Sequence, residues 1–416
     1  MTDVRRTVEA VWRIEGARIV ATLARMTNDV VWAEDLAQEA VVDALTQWPA
    51  AGIPQNPAAW LTTVAKRTAI DAWRRRARLD DRYRHIAQGL AADPAGPEGI
   101  AADSWEPIDD DVLRLVFTAC HPVLAREAQV ALTLRLIGGL TSEEIARMFL
   151  VPVGTIQQRI VRAKKTLTAA QVPFEVPDPS EWRARLGSVL GVIYLIFTEG
   201  YAATSGDRWI RTDLANEALR LGRVLAGLTP REPEAHALVA LMELQASRFA
   251  ARVRPDGSPV LLADQDRAQW DQAQIGRGSA ALARSDALGR GRGSYALQAA
   301  IAECHAVAPS VPGTDWARIV LLYEALGRIA PNPVVELNRA VAVSMATGPA
   351  SALLIVDELA RDGNLRGSHL LPSVRGELLA RLGRSTEARA EFTAAAALTK
   401  NAREREVLLA KAAGEL

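Results

Sequence analysis

Leu140–Leu167 reads LTSEEIARMFLVPVGTIQQRIVRAKKTL, the pattern of two short helices joined by a tight turn. Thr141 followed by Glu144 is a capping box, in which side chain and backbone of a first helical turn satisfy one another's hydrogen bonds. Ile145, Met148 and Phe149 give the first helix an apolar side. Leu150–Val151 make the turn, and Pro152 suits the first position of a new helix, where no amide donor is needed. In the second helix, at about 100° per residue, Val153, Ile156, Ile160 and Leu167 fall on one face. Thr155, Gln158, Arg162 and Lys165 gather opposite, flanked by Arg159. Gln and Arg read base edges bidentately, while Lys and Thr favour phosphate or either partner. This front suits a recognition helix in a DNA major groove. A solvated surface helix carries the same pattern, and spacing alone does not separate the two.

The chain has 416 residues, enough for two or three domains, and is 49% hydrophobic and 24% charged. Lys and Arg total 49, as do Asp and Glu, so no global basicity advertises a nucleic-acid partner. The cations are instead local, in Lys66–Arg84 and Arg159–Lys165. The N-terminal MTDVRRTVEAVWR places charges where a signal peptide needs an apolar core. The longest apolar run, Leu186–Phe197, is too short to span a bilayer and reads as a buried helix. Two cysteines, Cys120 and Cys304, give no disulfide framework. A soluble cytoplasmic protein without a membrane partner is expected.

From the N-terminus, Val8, Val11, Trp12, Ile19, Leu23 and Met26 form one apolar helical stripe. A second helix near Val31–Trp48 carries AEDLAQEAVVDAL, with Glu34, Asp35, Glu39 and Asp43 on or beside its polar side. A solvated face explains this, as does a docking surface for a basic helix of a partner. Pro49–Ala59, PAAGIPQNPAA, is predicted to be a loop. The next helix opens at Trp60, with Val64 on its face and Lys66, Ile70 and Trp73 on another. Arg74, Arg75, Arg76, Arg78, Arg82 and Arg84 follow as a basic run. Cations beside an exposed Trp suit melted or single-stranded nucleic acid, through phosphate contacts and stacking. Trp60 itself is expected to be buried. Ala87–Asp111 is rich in Gly, Pro and Asp without helical periodicity and reads as an acidic linker.

In this order the chain resembles the extracytoplasmic-function (ECF) RNA polymerase sigma factors of bacteria. DLAQEA at Asp35–Ala40 resembles their polymerase-binding motif in region 2. PAAWLTTVAKRTAIDAWRRR at Pro57–Arg76 resembles the promoter-melting and −10-reading segment, and Glu143–Leu167 the −35-reading region 4. The resemblance implies that Asp35, Gln38 and Glu39 dock on the largest subunit of core RNA polymerase. It implies −10 contacts from Gln55, Asn56, Lys66, Arg67, Trp73, Arg74 and Arg75, with a flipped base received by the Pro49–Ala59 loop. Thr155, Gln158, Arg159, Arg162 and Lys165 would read the −35 element of promoter DNA. Arg67 stands where many relatives carry Asn, which leaves the preferred −10 base open.

The expected architecture is all-α: a region 2 helical domain (residues 1–86), a flexible acidic linker (87–111), a region 4 helix-turn-helix domain (112–171) and a helical extension (172–416). The extension opens with the Pro-rich joint Val172–Trp182. Helices are suggested at Leu214–Leu225, Glu234–Phe249, Gln265–Ile275, Ala296–His305 and Trp316–Leu326, with GRGRG at Gly289–Gly293 as a loop. In Ser373–Leu398, Gly376, Ala388, Phe392 and Ala395 match the small and aromatic positions of a tetratricopeptide (TPR) unit, and Val334–Ala360 reads as a degenerate second one. Phe117–Arg135, Glu175–Leu186, Leu195–Asp207 and Pro331–Val343, with this tail, resemble the ECF subgroup with a C-terminal TPR-like extension. That implies regulation through the extension instead of a dedicated membrane anti-sigma factor, and an extended helical array offers a concave surface for a protein or peptide partner.

Neither metal, cofactor nor catalytic residue is expected. Cys120–His121 and Cys304–His305 together have the donors for zinc, but nothing in the sequence joins them. Glu199, Tyr201, Ser205 and Asp207 read as a polar turn between helices. Three other functions fit parts of the pattern: a helix-turn-helix regulator that never engages polymerase, a TPR-type scaffold, and an extension that turns over some small molecule.

Overall fold

The computed structural model describes residues 2–87, 108–201, 210–254 and 258–414, apart from the single positions 150, 179, 364 and 400. The regular elements there are α-helices, with short 3₁₀ turns and isolated bridges such as the antiparallel one from Val253 to Pro259, so the fold is all-α. The helices fall into two compact units, residues 1–192 and 193–416.

The first unit begins with α1 (Thr2–Thr27), which packs on α2 (Val30–Ala51), α3 (Pro57–Ala87), α4 (Ile108–Ala119) and α5 (Arg126–Leu136). Val8, Ile19 and Leu23 of the expected stripe are buried, whereas Met26 at its end is exposed. Asp29 starts α2 by accepting from the amides of Val31 (2.8 Å) and Trp32 (3.1 Å). The helix then buries Ala33, Leu36, Ala37, Ala40, Ala44 and Trp48, and its alanines let neighbouring backbones approach.

Two expectations change here. Pro49 does not open a loop: α2 continues through it to Ala51 and ends at Gly52, whose amide donates to the Trp48 carbonyl at 2.9 Å. In a last turn proline removes one hydrogen bond, and both Pro49 and Leu45, whose carbonyl loses its partner, are exposed to water. The loop is therefore only residues 52–56. Second, Glu34 is buried at 3% exposure, although its neighbours place it beside a polar face. In α3, Leu61, Ala65 and Ala69 form the buried stripe. Trp60 is half-buried and meets Trp48 edge-on, with ring centroids 5.3 Å apart.

Of the expected acidic linker, residues 88–107 lie outside the described residues, and Ile108–Asp111 already belong to α4. The helix-turn-helix follows as α6 (Ser142–Phe149) and α7 (Val153–Ala169). Its capping box is reciprocal: the Glu144 amide donates to Thr141 Oγ1 at 3.1 Å and the Thr141 amide to Glu144 Oε2 at 2.8 Å. Ile145 is buried and Phe149 half-buried, while the Met148 side chain and Leu150 lie outside the described residues. Pro152 is the N-cap of α7, one residue before its expected place. Helix α8 (Trp182–Tyr201) contains the apolar run, and its residues up to Val192 belong to this first unit. Trp182 packs on Phe117, with ring centroids 5.1 Å apart, and Arg185 donates to the Phe117 carbonyl at 3.3 Å.

The second unit runs through α9 (Thr212–Leu228), α10 (Pro233–Ala246), α11 (Gln272–Ala287), α12 (Ser294–Val307), α13 (Trp316–Ile329), α14 (Pro333–Ala346), α15 (Pro349–Asp362), α16 (Leu370–Arg381), α17 (Ser385–Leu398) and α18 (Ala402–Ala413). Each packs on its successor, α10 also on α12 and α14 also on α16, the arrangement of stacked helical hairpins. A Cβ at Gly376 would come within 2.9 Å of the Phe392 ring, so glycine there lets α16 and α17 close on the aromatic. The helix expected at Gln265–Ile275 is different: it starts after Asp271, whose side chain accepts from the Gln274 amide at 2.8 Å, and continues to Ala287. A Cβ at Gly278 would sit 2.7 Å from Leu244, so the glycine serves close packing of α11 on α10.

Candidate nucleic-acid interface

Helix α7 buries Ile156, Ile160, Ala163 and Leu167. This seats the opposite face outward: Gln158, Arg162 and Lys165 are exposed, and Thr155 and Arg159 half-buried. No carboxylate pairs with Arg159, Arg162 or Lys165 among the described residues, so their donors are open to phosphate or base edges. The five expected residues thus share one accessible surface.

Lys164 behaves oppositely to its neighbour. At about 100° per residue it borders the buried stripe, and it reaches back to α2. Its ammonium lies 2.7 Å from Glu34 Oε2 and 3.1 Å from Asp35 Oδ1. Burial pulls the Lys164 pKa down, but the two carboxylates more than offset this and hold it above the ordinary lysine value. Arg135 of α5 closes the cluster, its Nε donating to Glu34 Oε1 at 2.9 Å and its Nη1 to the Leu140 carbonyl at 3.2 Å. Arg13–Glu144 (3.0 Å) and Arg25–Asp111 (3.1 Å) are further ion pairs between the N-terminal helices and α4–α7. The expected docking residues therefore divide. Glu39 is exposed and Gln38 half-buried, whereas Asp35, though 62% exposed at its side chain, is held by Lys164. The sequence signal for this latch was the position of Lys164 at the edge of the apolar stripe.

Gln55 and Asn56 project from the loop before α3, where the Asn56 side chain also accepts from the Ala59 amide at 3.1 Å. Along α3, Lys66 is half-buried, and Arg67 and Arg74 are exposed beside the exposed Ile70. Arg74 lies 3.8 Å from Asp71, a solvated pair that leaves it available. The side chains of Trp73 and Arg75 lie outside the described residues.

Elsewhere, Glu199 pairs with Arg211 at 3.0 Å and Tyr201 stacks on Phe197, while Ser205 and Asp207 lie outside the described residues. Cys120 is buried with its Sγ 3.3 Å from Thr133 Oγ1, and burial pushes its pKa up to about 11. Among the described residues no three His, Cys, Asp or Glu side chains converge on a metal-sized site. Nor is any helix among them long and apolar enough to cross a membrane.

Residues 13–79 match the family description Sigma-70 region 2, and residues 114–167 match Sigma-70, region 4. Residues 185–286 match a family of unknown function, DUF6596. An uncharacterised protein of Rhizobium meliloti (strain 1021) is 43% identical over 399 residues, 92% of this chain and 90% of that protein. The ECF RNA polymerase sigma factor SigW of Bacillus subtilis (strain 168) is 33% identical over 34% of this chain and 77% of its own length. The RNA polymerase sigma-H factor of Pseudomonas aeruginosa is 30% identical over 38% of this chain and 82% of its own. Among solved structures, a tetratricopeptide repeat protein from Parabacteroides merdae aligns at a TM-score of 0.35 and 14% identity, covering 65% of this chain and 98% of that one.

Proposed function

The chain belongs to the ECF family of RNA polymerase sigma factors, and from that premise we propose that it directs core polymerase to promoters and opens them. Asp35, Gln38 and Glu39 dock on the core enzyme. Gln55, Asn56, Lys66, Arg67, Trp73, Arg74 and Arg75 hold the separated −10 strands, by phosphate contacts and stacking. Thr155, Gln158, Arg159, Arg162 and Lys165 read the −35 element, and the second unit regulates this activity or binds a protein partner. The protein supplies no covalent chemistry; polymerase does, in the cytoplasm where it works. The observation that carries the reading is the unpaired, outward face of α7, with the acidic α2 in the same unit.

Docking through Asp35 competes with Lys164, so core polymerase engages a form in which the 3.1 Å pair has opened. The test is run-off transcription by core polymerase on the gene's own upstream region. Glu39→Lys, which touches no interior pair, is expected to cut transcript at least tenfold, about 1.4 kcal/mol of docking energy. An undiminished transcript would favour a polymerase-independent regulator. Arg162→Ala should weaken holoenzyme binding to the promoter about tenfold and reduce the slope of log affinity against log salt by about one. Filter binding across salt concentrations checks this, and an unchanged slope would remove Arg162 from the DNA.

A further inference from the structure

A cavity of about 560 Å³ opens within the second unit, among α8, α10, α12, α13 and α14. Its size is that of a small-ligand pocket, roughly 300–1,000 Å³. Leu262, Ile301, Leu326 and Val335 give it apolar walls, and Gln245, Gln298 and Asn338 bring neutral hydrogen-bonding groups. Tyr194 Oη, also in the lining, donates to Gln298 Oε1 at 3.3 Å, which holds that amide in place. The cation lining the cavity is Arg248.

Arg248 has unusual company. Its guanidinium donates to Tyr201 Oη and lies 5.7 Å from the Trp270 ring centroid. Beside it, Arg252 sits 3.6 Å over the Tyr201 ring and donates to the Tyr201 carbonyl at 2.7 Å. Arg267 sits 4.6 Å from the Trp270 centroid and donates to the carbonyls of His305 and Ala308. Aromatic faces and carbonyls hold all three, and no carboxylate pairs with any of them among the described residues. Burial, and then the charge of Arg248, draw the Arg252 pKa down to about 10. Burial, then Arg248 and Arg267, draw the pKa of His305, in the cavity wall, down to about 4. His305 is thus neutral near pH 7, and its Nδ1 is buried without a hydrogen-bond partner. Arg252 is buried and Arg248 and Arg267 half-buried; cations gathered with reduced access to water and no anion are costly, and a bound anion relieves that cost.

We propose that this cavity binds a small organic carboxylate, with its carboxylate on Arg248 and its body against Ile301, Leu326 and Val335. The planar guanidinium fork matches a carboxylate. The one cation in the lining, among neutral amides and phenols, suits a monoanion better than a phosphate dianion. The aliphatic walls require a body with apolar surface, so acetate-sized ions would leave most of the cavity empty.

Calorimetric titration of the full chain with hexanoate and 4-hydroxybenzoate tests this, with 4-hydroxybenzyl alcohol and inorganic phosphate as controls. At least one of the two acids should bind saturably, at least tenfold tighter than either control. Arg248→Gln should weaken it at least tenfold. Asn338→Trp, placed on the exposed side of α14 and able to fill the cavity without entering a core, should abolish it while leaving the melting temperature unchanged. In histidine-labelled protein the His305 ring resonances should move on binding and its pKa should rise. The proposal is overturned if neither acid binds, if phosphate or the alcohol binds equally well, if Asn338→Trp binds like wild type, or if the His305 resonances stay still. The assay contains no polymerase, so its outcome is independent of the sigma-factor reading.

Discussion

Alanine in place of Glu34 is expected to lower the stability of the first unit by about 3 kcal/mol, the cost of breaking a buried ion pair from one side. The Glu34 side chain is 4% exposed and lies between Lys164 at 2.7 Å and Arg135 at 2.9 Å. Its removal leaves two largely buried cations facing a void without their shared anion. The solvated Arg74–Asp71 pair offers the contrast, since such pairs contribute about 0–1 kcal/mol. Because the Lys164 pKa is raised in the folded chain, its contribution is fully present below the ordinary lysine pKa. It is lost only as pH rises through the higher folded value, so neutral pH retains it. Urea unfolding followed by amide exchange in α2 and α7 measures the loss. A double-mutant cycle of Glu34→Ala with Lys164→Ala should give a coupling of about 1–3 kcal/mol. Coupling near zero would mean that the two helices are not latched by this pair.

Phe392→Ala is expected to cost about 3–5 kcal/mol in the second unit, through lost burial and the cavity left behind. The ring is 5% exposed in a core with Leu378, Leu379, Ala388 and Ala395. Its partner position should fail in the opposite sense. Gly376→Ala places a methyl 2.9 Å from the ring and should cost about 1–3 kcal/mol by overpacking. Combining Gly376→Ala with Phe392→Leu should recover part of the loss, because the smaller side chain makes room. Thermal unfolding of these three variants and of Phe392→Leu alone checks the series. Additive costs would show that the two positions do not meet, and would remove the strongest support for a TPR-type hairpin.

Some of this was legible in the chain and some was not, for physical reasons. The capping box and the apolar stripe of α7 are local, and Thr141, Glu144, Ile156 and Ile160 sit where their spacing predicts. Gly376 and Phe392 were legible because one hairpin's packing lies within a single stretch of sequence. Glu34 was misread because its burial depends on Lys164 and Arg135, more than a hundred residues away. Pro49 misled as a helix breaker, since it stands in an exposed last turn. The cavity around Arg248 was invisible because its lining, from Tyr194 to Asn338, is assembled only by the stacking of helices.

The two cysteines add something to these experiments. Cys120 is buried in the first unit and Cys304 in the second, and burial raises the pKa of both. A thiol in that state reacts with a disulfide reagent only when its surroundings open, since the thiolate is the nucleophile. Sulfhydryl exchange in the unaltered chain therefore timestamps the openings of each unit separately, with one intrinsic clock in the unit that carries α7 and another in the unit that carries the cavity.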